Sequence, residues 1–145
     1  MTLWTQSRVS EEPFTVFGAG DEMVYEEYRN SVIFSEHSLD VVDLAWSPDS
    51  TRLASCGLDG QVIVWDVVKQ ERLMKLNGFT PGDRIKGLAW DPLDRFLVSS
   101  VEGSNGGGNV HVHRTSDWSQ ETVLSDWFSQ TSDKAFFRRS SWSPD

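Results

Sequence analysis

The chain has 145 residues, 24% charged and 38% hydrophobic, which is enough for one ordinary core and describes a globular polymer, not a disordered one. Thirteen basic against twenty-two acidic residues leave a net charge of −9, which disfavours a free-standing nucleic-acid binder and fits either basic partners or plain solubility. Cys56 is the only cysteine, so no internal disulfide can form, and neither a signal-peptide core nor an apolar run of roughly 18 residues is visible.

In chain order, Leu3-Trp4 reads as the tail of a strand, and residues 28–35 as the outer strand beside it. Between them, residues 10–27 carry six carboxylates (Glu11, Glu12, Asp21, Glu22, Glu26, Glu27) and no basic residue, punctuated by Pro13, Gly18 and Gly20. This is the pattern of a long surface loop. The paired acids invite a general acid-base reading, but catalytic carboxylates need burial or a close neighbour to shift their pKa, and nothing converges on these.

The stretch 37–66 organises the rest of the chain. Val42, Leu44 and Trp46 alternate with Val41 and Ala45, the period of two that a strand imposes, and both faces are apolar, so this strand should be covered on both sides. Ser47-Pro48-Asp49-Ser50 supplies turn chemistry, and a second strand runs through residues 52–56. Asp59-Gly60 tolerates the positive φ of a tight hairpin, which leads into a β-branched third strand over 61–66. Residues 71–76 alternate as an outermost strand with its charges to solvent.

The pattern then restarts. Residues 83–93 match the first strand and its turn, and Trp90 follows Trp46 by 90 − 46 = 44 residues. Residues 95–100 repeat the second strand, 109–114 the third and 121–124 the outer one. Trp142, in Ser140-Ser141-Trp142-Ser143-Pro144-Asp145, restarts the first strand a third time.

A His before the first strand, a W-S-P-D turn, an L-A-S-C-G-L-D-G hairpin and a terminal V-I-V-W-D together resemble a WD40 repeat, one four-stranded blade of a β-propeller. The resemblance implies a hydrogen-bonded tetrad of His37, Ser55, Asp59 and Trp65. In the second copy, Phe79 stands where the His belongs, His113 replaces the strand Trp, and a glycine-rich hairpin over 103–108 lacks the matching Asp. That copy is expected to have no tetrad.

The expected fold is an all-β propeller fragment: the end of one blade with an acidic insertion (1–35), a blade (36–78), a degenerate blade (79–126) and the start of another (127–145). Propellers close with roughly four to eight blades. Alone, this length would leave apolar blade faces and strand edges open. Loops 35–40, 77–83 and 101–109 should gather on one rim, the usual partner face, with the acidic loop as a separate candidate.

Two features imitate sites. His111 and His113 share a strand face as two metal ligands might, but a tetrahedral site needs at least three protein ligands and no third is near in sequence. The glycine run lacks the Lys-Ser/Thr ending and the helix that hold phosphates. No catalytic, cofactor or metal residues are expected, and activity lost on His111→Ala would be needed to revive an enzyme reading.

Several segments narrow the family. Phe14 to Gly18, the run 37–47, Val67-Val68-Lys69, Lys86-Gly87-Leu88-Ala89-Trp90-Asp91-Pro92, Arg114-Thr115-Ser116-Asp117-Trp118 and 139–145 together resemble the N-terminal propeller of the HIRA/Hir-type histone chaperone subunits. The resemblance implies a non-catalytic nuclear scaffold that binds histones and other chaperone subunits. It also implies replication-independent histone deposition and transcriptional repression, histone genes included. Neither sequence-specific nucleic-acid binding nor membrane association is expected. The alternative is a WD40 adaptor of another complex, a ubiquitin-ligase substrate receptor or a coat component.

Overall fold

A computed structural model of the chain describes residues 1–7, 27–103, 107–125 and 139–143. The acidic insertion up to residue 26, the middle of the glycine run and most of 127–145 lie outside the described residues. Those described are all-β, with ten strands and no helix, as the alternating pattern requires. They divide into two units, 1–35 and 36–145.

In the first unit β1 (Thr2–Ser7) and β2 (Glu27–Ile33) form an antiparallel ribbon that runs from Thr2 opposite Ile33 to Ser7 opposite Glu27. The chain ends of the ribbon are tied by the Phe34 amide, which donates to the Met1 carbonyl at 2.8 Å. Trp4 does not repeat the buried position of Trp65: it is 59% exposed against 3%. A register shift at Leu3/Trp4 and a ribbon only two strands wide explain the difference.

The second unit holds two four-stranded antiparallel sheets, each a meander in chain order. The first is β3 (Val41–Trp46), β4 (Arg52–Gly57), β5 (Val62–Asp66) and β6 (Glu71–Lys75). The second is β7 (Arg84–Trp90), β8 (Phe96–Glu102), β9 (Gly108–Arg114) and β10 (Gln120–Leu124). Residues 139–143 carry no ladder, since no neighbouring strand among the described residues pairs with them. Trp142 still lies on the second sheet, stacked on Phe96 at 6.4 Å, with its indole N–H 3.2 Å from the Ala89 carbonyl.

The core sits between the two sheets. Ala54, Cys56, Val62 and Val64 of the first meet Ile85, Leu88, Trp90, Leu97 and Val101 of the second, with Val42, Ala45 and Phe79 packed at the edge. The expectation that β3 is covered on both faces is corrected here. Leu44 and Trp46 are 43% and 46% exposed, while Val42 and Ala45 reach the core. A bulge between Val41 and Asp43 breaks the alternation and sends Val42 to the core side. β6 is exposed along its whole length, so Leu73 and Met74 join its charged residues at the surface.

The internal repeat reaches the backbone. Ser50 and Asp94, 94 − 50 = 44 residues apart, both take a left-handed φ in the turn after the first strand (59° and 57°), and Gln70 and Trp118 do so after the third (61° and 59°). Side chains hold each turn. The Ser47 hydroxyl donates to Asp49 at 2.5 Å, and that bond, with the Thr51 hydroxyl and amide, holds the Asp49 carboxyl down to about 2. In the second copy the acid has moved to the head of the turn, where Asp91 accepts from the Leu93 and Arg95 amides.

One contact across the sheets was not visible in the sequence. The Arg52 guanidinium lies over Trp90 at 5.3 Å and Trp118 at 5.9 Å and bonds the Asp94 carboxylate, which also accepts from the Trp90 indole N–H at 2.8 Å. Phe96, at the matching position of the second sheet, does the same job on Trp142 without charge.

Candidate functional site

The β4–β5 hairpin and the loop before β3 bring His37, Ser55, Asp59 and Trp65 together. Trp65 Nε1 donates to Ser55 Oγ at 2.8 Å, His37 Nε2 lies 2.8 Å from the same oxygen, and His37 Nδ1 lies 3.0 Å and 3.1 Å from the two Asp59 oxygens. An indole can only donate and a carboxylate can only accept, so the chain of bonds has a fixed polarity. The Ser55 hydroxyl donates to Nε2, and the His37 Nδ1–H donates to Asp59. Asp59 also accepts from the Ser38 and Gln61 amides, at 3.0 Å and 3.2 Å, which ties the loop before β3 to the hairpin.

Backbone space around this pair is tight. A Cβ at Gly57 would meet Asp59 Oδ1 at 2.8 Å, His37 Nδ1 at 2.9 Å and the Asp40 carbonyl at 3.0 Å. Gly60 needs its left-handed φ of 71° for the hairpin, and a Cβ there would meet the Asp83 carbonyl at 2.7 Å. Gly57→Ala should therefore lower the unfolding free energy by about 2 kcal/mol, the usual cost of overpacking a close-packed site. Urea denaturation followed by tryptophan fluorescence measures this, and an unchanged midpoint would show that the pair has room to move.

Ser55, His37 and Asp59 have the order of a hydrolase triad, and the surroundings decide against that chemistry. Ser55 is 0% exposed and its Oγ is already capped by the Trp65 indole. A nucleophile must reach a carbonyl carbon with a lone pair free. Here the hydroxyl serves as a relay inside a packed sheet. The other nucleophile is equally shut in: Cys56 is fully buried, and burial, then the Asp43 charge, push its thiol up to about 12.

The second sheet keeps the register and changes the chemistry. Leu97 opposes His113 as Leu53 opposes Trp65, and Ser99 opposes His111 as Ser55 opposes Ile63. Phe79 packs against both imidazoles, with ring centroids 5.0 Å and 5.6 Å away. His113 Nε2 donates to the Asn77 carbonyl at 3.0 Å, while Ser99 Oγ and the Nδ1 atoms of both histidines have no hydrogen-bond partner among the described residues. The two imidazoles stack 6.5 Å apart, and no group of three or more metal-ligating side chains is present among the described residues. Burial depresses both histidines. His113 lowers His111 further, against Asp83 and Gln120, which work the other way.

Loops 36–40, 57–61, 77–83 and the ends of the 103–107 hairpin gather at one end of the two sheets. The Leu58 amide donates to Asp40, Asp83 approaches Gly60, and the Asp83 carboxylate lies 3.9 Å from the place a Gly103 Cβ would take. Beneath this rim the buried Lys86 ammonium pairs with Glu102 at 2.9 Å, with Arg84 3.9 Å away on the exposed side. The result is a surface of mixed charge at one end of the two sheets.

The sequence model of the family described as "WD domain, G-beta repeat" matches residues 29–66, from within β2 to the end of β5. The chain is 41% identical over 128 residues to "Protein HIR1" of Cryptococcus neoformans, covering 86% of this chain and 14% of that protein. It is 40% identical to "Protein HIR1" of Mycosarcoma maydis (89% and 12%), and 30% identical to "Protein hir1" of Schizosaccharomyces pombe (99% and 15%). The chain thus spans about a seventh of the length of the relatives it matches. Among solved structures, the WD40 repeats of RRP9 superpose with a TM-score of 0.53 at 24% identity, over 61% of this chain and 25% of that one, a likeness of fold.

Proposed function

We propose that this stretch of WD40 repeats, similar over most of its length to proteins named HIR1, serves as a non-catalytic scaffold in a Hir-type histone chaperone complex. The observation that carries this reading is the identity of 41% across 86% of the chain, far beyond the 29–66 repeat alone. The geometry agrees with it. The Ser55-His37-Asp59 arrangement is sealed, and the exposed rim is built from braced loops.

On this reading the chain works in the nucleus, contacts histones and other chaperone subunits through propeller surfaces, and contributes to replication-independent chromatin assembly and to repression, histone genes included. The net charge of −9 suits basic partners and argues against free nucleic acid. The four-residue chain of hydrogen bonds from Trp65 to Asp59 is then a structural brace that fixes the rim.

Affinity purification of the full-length protein from nuclear extract tests the reading. Histones and chaperone subunits are the expected companions. Ubiquitin-ligase or coat components in their place would assign the chain to a WD40 adaptor of another complex.

A further inference from the structure

The joint between the two sheets contains a layer that the first sheet lacks on its own account. His111 and His113 share the face of Leu88 and Leu97, which packs on Ala54, Cys56, Val62 and Val64. They stand where the first sheet carries Ile63 and Trp65. Their relative exposures are 5% and 1%, and the two Nδ1 atoms and Ser99 Oγ have no partner among the described residues. A neutral imidazole fits such a layer, at the cost of unmade hydrogen bonds. An imidazolium at position 113 would have no counter-charge, and one at position 111 only the Asp83 carboxylate, where a buried ion requires close pairing.

The groups that face these rings are few. From the loop before β7 come the Phe79 ring, the Asn77 carbonyl and the Asp83 carboxylate; from β10 comes the Gln120 side chain. From β4 and β5 come Ala54, Cys56, Val62 and Val64, of which only Cys56 titrates, and it stays a thiol. Arg114, next in β9, is exposed and bound to Glu121. Asp43 of β3 also lies in the joint, where its carboxylate accepts from the Leu88 amide; Asp83 is the carboxylate whose charge acts on the pair, and on His111 alone.

We propose that the joint between β3–β6 and β7–β10 is an acid-sensitive hinge: protons taken up by His111 and His113 part the two sheets while each sheet keeps its own ladder. The parting would also separate loops 36–40 and 77–83, and so dismantle the rim. The sign comes from linkage. An exposed histidine titrates near 6.5, and both buried rings lie below that, so the open form binds more protons. The penalty is absent above about pH 6.5 and grows as the pH falls below it. Each tenfold loss of proton affinity on closing raises the open population about tenfold in acid.

Two probes already sit at the hinge. Cys56 Sγ lies 4.0 Å from the Ile85 carbonyl across the joint, and the Leu88 amide donates to Asp43 Oδ2 across it at 3.0 Å. In the chain as it stands, the reaction of Cys56 with a pyridyl disulfide, relative to a free thiol, should rise about tenfold between about pH 7.5 and about pH 5.5. Exchange of the Leu88 amide should rise relative to amides of the β8–β9 ladder over the same range. In a chain with His111→Ile and His113→Trp, the residues of the first sheet, the rise should vanish. A flat Cys56 ratio in the unaltered chain overturns the proposal, as does the same rise in the double variant. If that variant does not fold, the exchange experiment decides: acid that speeds the β8–β9 ladder as much as Leu88 means global unfolding, and no hinge.

Discussion

Asp59→Ala is expected to lower the stability of the chain by about 3 kcal/mol, because it strips three donors of one acceptor at once. His37 Nδ1, the Ser38 amide and the Gln61 amide all end on this carboxylate, and its side chain is 2% exposed. The His37 ring, 6% exposed, would keep its hydrogen bond to Ser55 and lose the other. Ser55→Ala removes the acceptor of the Trp65 indole N–H and the donor to His37 Nε2, both neutral groups, and about 1.5 kcal/mol is expected. The two changes act on one chain of hydrogen bonds, so their effects should fall short of additivity in a double-mutant cycle. Urea denaturation of the two single variants and the double variant gives all three values. Additive losses would mean that the four residues do not act as a unit.

Leu97→Ala is the second large effect, with about 3 kcal/mol lost. Leu97 is 0% exposed and lies between Trp90 and His113 on the face that joins the sheets. The cavity would border two tryptophan-bearing elements held by Arg52 and cannot collapse without breaking their edge-to-face contact. Leu93→Ala, at a position 69% exposed in the adjoining turn, should change stability by less than about 0.5 kcal/mol. Equal losses from the two leucines would contradict the placement of the core.

The strands were readable because local chemistry specifies them. Period-two alternation marks β3 and β6, β-branched residues mark β5, and Asp59-Gly60 suits a tight hairpin. His37, Ser55, Asp59 and Trp65 were picked out by the resemblance to a WD40 repeat, and the polarity of their bonds follows from what each side chain can donate or accept. The bulge at Val41–Asp43, which sends Val42 to the core side, was not readable, since an extra residue leaves no mark on composition; nor was the exposure of Leu44 and Trp46, which depends on what lies over that face of β3. The Arg52–Trp90–Trp118 stack joins residues 38 or more apart through sheet packing, 90 − 52 = 38, which no local pattern encodes. Gly57 was passed over because its backbone φ is unremarkable; what it needs is space.

The second sheet shows how a repeat loses one feature and keeps its frame. Phe79 and His113 remove the donors and acceptors of the brace, yet the register from Leu97 to Ser99 is that of Leu53 to Ser55. Ladder bonds and the shared core hold the geometry. The proposed hinge arises from this substitution: polar rings sit in an interface that leaves their Nδ1 atoms without partners among the described residues.

The proposed scaffold role is tested most directly by chemical crosslinking of the intact assembly purified with the full-length protein. Lys69, whose side chain is 67% exposed, and Lys75, exposed on β6, flank the outer strand of the first sheet. Crosslinks from these lysines, or from the rim beside Arg84, to histones or to chaperone subunits are the predicted result. Crosslinks confined to the chain itself, in an assembly that contains those partners, would contradict the scaffold role.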